Sequence, residues 1–276
     1  ARLDQDLFSG FVQDEIALIP DRLRLTVGTK LEHNDYTGFE VEPNARLQWN
    51  PAPSQMFWAA VSRAVRTPSR IDRDISQPAP QYLIVILRGG RKFESETVRA
   101  WGLGYRTQLG AKANVSVSTF YNEYRDVRST TTSPPDPVFG LPFPFFFENN
   151  LEAETYGGEI SLGYQVFEKW ILQAGGVVLE EDVRIRPGRM DFNRGLNETA
   201  DPERQFSLRS AMDLPAGLEL DVAYRWVDDR RMNNAGVAAV LPAYDQVDVR
   251  LGWRPNERVE FSLVGRNLLN RRHPEF

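Results

Sequence analysis

Apolar and polar residues alternate one by one along most of this chain, in segments long enough to be read individually. Leu218, Leu220, Val222, Tyr224 and Trp226 fall on one face of a strand, and Glu219, Asp221, Ala223 and Arg225 on the other. Val247, Val249, Leu251 and Trp253 likewise oppose Asp248, Arg250 and Gly252. The same holds for Leu23, Leu25, Val27 and Leu31 against Arg24, Thr26, Lys30 and Glu32, and for Ile160, Leu162, Tyr164 and Val166 against Glu159, Ser161 and Gln165. A period of two belongs to a strand with unlike faces, and a helix would scatter these sets. Segments of about ten residues match a tilted strand crossing a bilayer.

The pattern predicts twelve strands, near residues 8–19, 23–33, 39–49, 56–66, 95–109, 113–125, 153–166, 170–182, 205–213, 218–228, 243–253 and 259–268. Their connections alternate in length. Short ones are residues 20–22, 50–55, 110–112, 167–169, 214–217 and 254–258, while long ones are 67–94, 126–152, 183–204 and 229–242, with 34–38 modest. Short periplasmic turns and long extracellular loops mark outer-membrane barrels, and a soluble sandwich has no reason to keep that parity. Trp49, Trp170 and Trp253 adjoin short turns, where an aromatic girdle at the membrane interface belongs, although Trp residues also cap ordinary soluble cores. The parity sends the first strand toward the periplasm and the twelfth outward, so Phe276 is expected outside. Barrels of this kind have even strand counts and no open edge in lipid, so at least one descending strand is expected after Phe276, and further residues before Ala1.

Composition agrees with a folded chain. Its 276 residues are 41% apolar and 11% aromatic, far from disordered or collagen-like classes. No apolar run is longer than the six residues from Tyr82 to Leu87, well short of the roughly 18 residues of a transmembrane helix. The mean hydropathy of -0.44 does not argue against a membrane barrel, because lipid-facing and lumen-facing residues average out. With no cysteine and only His33 and His273, neither a thiolate nor a histidine metal cluster is expected, and no catalytic constellation appears. The 33 basic and 38 acidic residues lack the basic excess typical of nucleic-acid binding.

Several stretches resemble TonB-dependent outer-membrane receptors of the siderophore type. They include Pro43-Asn44-Ala45-Arg46-Leu47-Gln48-Trp49, the segment Ser62-Arg63-Ala64-Val65-Arg66-Thr67-Pro68, Glu96-Thr97-Val98-Arg99 with Leu103-Gly104-Tyr105-Arg106, Phe120-Tyr121-Asn122, Glu154-Thr155-Tyr156-Gly157-Gly158-Glu159-Ile160 and the final Asn267-Leu268-Leu269-Asn270. Their order and spacing carry the resemblance over nearly the whole chain. It implies an all-β fold, an antiparallel transmembrane barrel of about 22 strands, of which these roughly twelve would be the tenth to the twenty-first. The plug domain, the TonB-contacting box and the final strand would then lie outside residues 1–276. The implied function is active import of an iron-siderophore or similar metal chelate, with the TonB complex and outer-membrane lipid as partners and no resident cofactor. A porin-like channel, a membrane-embedded lipase and a soluble β-rich binding protein stand as alternatives.

Two long loops hold the candidate ligand residues. In 67–94, Arg70, Arg73, Arg88 and Arg91, with Lys92, surround an apolar run that includes Tyr82. Arginine offers a planar fork for carboxylates or catecholates and stacks on rings, while the bland alternative is a solvated hairpin. In 126–152, Phe139, Phe143, Phe145, Phe146 and Phe147 are too many for a plain solvated loop, and meet ligand, lipid or the barrel mouth. Lumen-facing charges at Arg46, Arg63, Arg99, Arg106, Glu159, Arg209, Asp221, Arg225, Asp248, Arg250 and Arg266 are expected to hold neighbouring strands and a plug through ion pairs. His33 and His273 are expected at loop edges.

The turn parity yields a topology test in intact cells carrying the full-length gene. Cysteines placed at Ser133 and Asn193 should react with a membrane-impermeant reagent, and one at Ser54 should not. Labelling of Ser54 from outside would invert the topology.

Overall fold

In lipid a strand must hand its backbone donors and acceptors to neighbours, and the long strands of this chain do so along one open sheet that ends at the first and last strands. The computed structural model describes residues 5–79, 84–134, 140, 144–196, 199, 201–234 and 237–269. In chain order come β1 (Leu7–Ile19), β2 (Leu23–Asn34), β3 (Gly38–Ala52), β4 (Gln55–Arg66), the short helix α1 (Arg70–Asp74), β5 (Ser76–Ala79) and β6 (Ile84–Arg88). Then follow β7 (Glu96–Leu109), β8 (Ala113–Thr132), β9 (Phe145–Phe167), β10 (Trp170–Ile185), β11 (Arg204–Leu214) and β12 (Leu218–Val227). Last are β13 (Arg230–Asn234), β14 (Val237–Leu241), β15 (Tyr244–Asn256) and β16 (Val259–Gly265). The main path runs β1-β2-β3-β4-β7-β8-β9-β10-β11-β12-β15-β16, each strand antiparallel to the next, and β13 and β14 form a separate hairpin. All twelve predicted strands are present on this path.

The differences lie at the extracellular ends. Residues 126–152 were expected as a loop, yet β8 continues to Thr132 and β9 begins at Phe145. A bulge at Asp126, with φ 58° and a register shift between Tyr124 and Val127, bends this extension of the hairpin. The loop 67–94 contains α1, β5 and β6, and β16 stops at Gly265 rather than 268.

Register fixes the faces. Leu25 pairs with Leu47, Leu47 with Ala59, Ala59 with Leu103, and the line runs on through Val222, Val249, Leu251 and Leu263. This face is apolar and open: Leu103 is 61% exposed and Leu263 73%. A soluble sandwich would cover such a surface, whereas lipid covers it in a barrel. Beside the short turns, Trp49 stacks on Phe57 at 5.4 Å, Phe57 meets Tyr105 at 4.4 Å, Phe167 stacks on Trp170 at 6.1 Å and Trp253 on Phe261 at 5.9 Å. These pairs form the expected aromatic girdle beside the short turns.

The opposite face is polar. Arg250 bonds Glu219 at 2.9 Å, Asp221 at 3.1 Å and Glu260 at 2.8 Å, and Lys30 joins Glu32 to Glu42. Trp58 lies on this face beneath Arg46, 5.2 Å from its ring, and only glycine fits at 104, where a Cβ would come within 2.2 Å of the Trp58 indole nitrogen. Two expected lumen charges are on the other side. Arg63 pairs across from Arg99, in the row of Val61 and Trp101 on the apolar face, at its extracellular end. The reason is local: ladder pairing between β3 and β4 stops at Asn44, next to Pro43, which has no N–H to give, and Arg63 donates to the freed Val41 carbonyl instead.

An arginine at mid-membrane on the lipid face costs about 2 to 4 kcal/mol, far more than on the lumen face. In the full-length protein Val222→Arg should therefore sharply reduce heat-modifiable, folded barrel in outer-membrane fractions, while Ala223→Arg should leave it near wild type. Equal losses would contradict the register.

Candidate ligand-binding site

The site begins with one buried charge. Ser69 caps α1: its hydroxyl accepts from the Asp72 N–H at 3.2 Å, while the Asp72 carboxylate accepts from the Ser69 N–H and hydroxyl, both at 2.8 Å. This is a capping box with aspartate in the returning position. Asp72 is 0% exposed. Arg66 at the end of β4 reaches it at 3.3 Å and Arg128 of β8 at 3.4 Å. Both arginines also engage Glu96 on β7, Arg66 through its side chain and Arg128 through its backbone N–H. Burial pushes the Asp72 carboxyl upward, but the two Ser69 bonds and the arginine charges outweigh it and hold it below the usual carboxylate range.

From this anchor the loop is laid out by backbone bonds. The Asp72 carbonyl accepts from the Gly90 N–H at 2.8 Å, and the Ile75 carbonyl from the Gly89 N–H at 2.8 Å. A Cβ at Gly90 would sit 2.0 Å from the Phe147 carbonyl oxygen, so that loop lies directly on the β9 backbone. Arg73 ties two loops together: it stacks over Tyr36 at 4.9 Å and donates to the Tyr36 carbonyl at 2.6 Å and the Arg91 carbonyl at 2.5 Å. The Tyr36 hydroxyl donates to Asp74, and burial followed by this bond raises its pKa.

The second wall is the extended hairpin. β6 adds to β9 in parallel, pairing Leu87 with Phe145 and Arg88 with Phe146, so one candidate arginine and two candidate phenylalanines expected in loops outside the strand ladder are part of it. The third long loop folds over β8 and β9. Asp191, nearly buried, accepts from the Thr130 N–H at 2.7 Å, Phe192 donates to the Thr130 carbonyl at 2.6 Å, and the Asn150 amide donates to the Met190 carbonyl at 2.9 Å. Phe93, Leu151 and Val127 are buried at this end, not at mid-barrel.

Between these pieces lies a cleft of about 1050 Å³. Arg73, Arg88, Arg91, Lys92, Arg186 and Arg189 line it, against Asp74, Glu94, Asp126 and Glu148. Arg73 is occupied by carbonyls, and Arg186 is paired with Asp126 at 2.6 Å and Glu152 at 3.5 Å. The side chains of Arg88, Arg91, Lys92 and Arg189 have neither hydrogen bond nor ion pair among the described residues, so they carry unanswered positive charge into the cleft. Phe146 and Phe147 supply its apolar wall, with Arg128 held 5.1 Å over the Phe147 ring.

Of the candidates named from sequence, Arg73, Arg88, Arg91 and Phe146 meet in this cleft. Arg70 does not line it, its side chain being exposed on α1, and Phe145 turns its ring to Phe192 at 4.9 Å instead. Tyr82 and Phe143 lie outside the described residues, as do Phe139 and His273. Arg186 and Arg189 were missed as site residues, because only the fold of the third loop across the hairpin brings them to the other two. The closely spaced Arg184, Arg186 and Arg189 were the available signal.

A continuous ladder with an outward apolar face, an aromatic girdle at the short turns and a charged cleft among long loops defines an outer-membrane β-barrel of the receptor kind. The chain matches the TonB dependent receptor-like β-barrel family over residues 1–268 and belongs to it. Membership separates it from porin-like and lipase alternatives and places it in the bacterial outer membrane. An iron-regulated outer membrane virulence protein of Vibrio cholerae is 26% identical over 170 residues, 58% of this chain and 25% of that protein. The siderophore receptor PirA of Acinetobacter baumannii aligns with a TM-score of 0.75 at 15% identity, over 97% of this chain and 42% of that one. A mutant of the ferric enterobactin receptor PfeA of Pseudomonas aeruginosa aligns with a TM-score of 0.74 at 16% identity, over 96% and 39%. The chain thus spans about a quarter of the curated relative's length, and the structural likenesses speak for the fold.

Arg73→Ala removes a ring stack and two charge-assisted bonds, each of the latter contributing about 1.5 to 3 kcal/mol. Amide exchange at Tyr36, Thr37 and Arg91 to Phe93 should accelerate, with strand amides of β7 and β8 unchanged. Equal protection in the variant would mean that the two loops are held by other contacts.

Proposed function

We propose that this barrel belongs to an active importer that binds an anionic, ring-bearing ferric chelate, of the siderophore class, from outside the cell. The observation that carries the reading is the cleft, where Arg88, Arg91, Lys92 and Arg189 present charge with no acidic partner among the described residues, beside Phe146 and Phe147. Guanidinium groups match catecholate or carboxylate oxygens, and aromatic walls accept planar rings. The volume is at the upper end of small-molecule sites, about 300 to 1000 Å³, which suits a bulky chelate better than a sugar or nucleotide. Relatives described as siderophore or ferric enterobactin receptors, and as iron-regulated, support the same cargo class. Energy for import would come from the TonB complex, through an N-terminal region outside residues 1–276.

Two charge-assisted bonds lost together weaken binding by more than tenfold. Cells carrying the full-length gene should take up radiolabelled iron from one member of a panel of catecholate, hydroxamate and mixed chelates. Combined Arg88→Ala and Arg91→Ala should raise the half-saturating concentration more than tenfold with normal barrel levels, and Arg189→Ala should do so to a lesser degree. Unchanged uptake in both would place the ligand elsewhere.

A further inference from the structure

We infer that Asp72 is the positioning residue of the cleft: its carboxylate, clasped by Arg66 and Arg128, sets the place from which Arg88 and Arg91 meet the ligand. This rests on the ligand reading above. Asp72 itself does not line the cleft. Its side chain is joined to two strands of the barrel wall, β4 through Arg66 and β8 through Arg128, and its own backbone carbonyl receives the N–H of Gly90. Gly90 stands between Arg88 and Arg91. Beside the pairing of Arg88 with Phe146, Asp72 is thus a second link between the ladder and the segment carrying two cations that have no partner among the described residues.

The geometry leaves little slack along this path. Gly89 is packed against Arg73, where a Cβ would fall 2.3 Å from its carbonyl carbon, and Gly90 is packed against the Phe147 carbonyl. A shift of α1 would press directly on the Gly89-Gly90 backbone that lies between Arg88 and Arg91. Arg128 also covers Phe147, so the same clasp seats a residue of the aromatic wall. A carboxylate buried without partners would be costly, and removing its charge takes from the Arg128 guanidinium its ion pair, while Arg66 keeps Glu96. Loops of a receptor carry backbone with few neighbours, and a charge clasp on the strand ladder gives them one arrangement to return to.

The test uses the full-length receptor in detergent micelles. Asp72→Asn keeps an acceptor for Ser69 and removes the charge. We expect exchange of the Gly90 amide, and tryptic cleavage after Arg88 and Arg91, to accelerate at least tenfold without ligand, while amides of Leu103 and Val117 stay protected. Asp72→Glu should restore part of that protection. Wild-type behaviour at Gly90 in Asp72→Asn overturns the proposal. Affinity is then measured for ferric enterobactin and for the iron complex of a neutral trihydroxamate, each alone and combined with Arg88→Ala and Arg91→Ala. A positioning residue loses its effect once those arginines are gone. Fully additive losses would make Asp72 a stabiliser of the loop only, and would also overturn the proposal. If Gly90 is freed but the arginine variants bind as wild type, the clasp stands and the cargo reading falls.

Discussion

Everything in this protein follows from the need to satisfy backbone hydrogen bonds where no water can do so. The need is met by a ladder in which each long strand pairs with its sequence neighbour, with short turns such as Asp21 and Gly110, both in the left-handed region, reversing the chain. Once that ladder is in register, the side-chain faces are not free to vary, because a slip by one residue would exchange lipid and lumen faces along a whole strand. The apolar surface that looks anomalous in isolation, with Leu103 and Leu263 widely exposed, is the surface the membrane covers.

Outside the membrane the constraint relaxes, and charge takes over as the organising term. The loops have few buried apolar residues to fold around, chiefly Phe93, Leu151 and Val127. They are held instead by polar anchors: Asp72 with its arginines, Asp191 on the Thr130 backbone, Arg73 between two carbonyls. This division sorts the cations. Arg66, Arg73, Arg128 and Arg186 serve structure, and the cleft cations without a partner among the described residues, Arg88, Arg91, Lys92 and Arg189, are the ones the proposed ligand would meet. A count of arginines in a loop does not distinguish these two groups, since both kinds look alike until their partners are known.

The barrel wall was legible in the sequence because the side-chain period of a strand is local information. Leu218 to Trp226 alternates within nine residues, and nothing distant is needed to read it. The turn parity added topology, and the tryptophans beside Ala52 to Gln55 and Glu168 to Lys169 added depth. Less legible were segments whose conformation depends on a neighbour. Phe145 to Phe147 do not alternate and follow a proline, and they become strand because Thr130 to Thr132 on one side and Leu87 and Arg88 on the other complete their hydrogen bonds. Arg63 was misplaced by its charge, which spoke for the lumen, where its register parity spoke for the other face.

The sequence by itself determined the strands, their direction, the membrane-facing surface and the family, all of which are written in short-range periodicity and motif order. Only the tertiary structure decided which loop residues meet. Arg88 and Phe146 are 58 positions apart yet paired, and Arg189 comes from a third loop to which sequence alone gave no ligand role. The physical reason is that lipid imposes the same rule on every strand, independent of what lies beside it, whereas each loop contact depends on one particular partner.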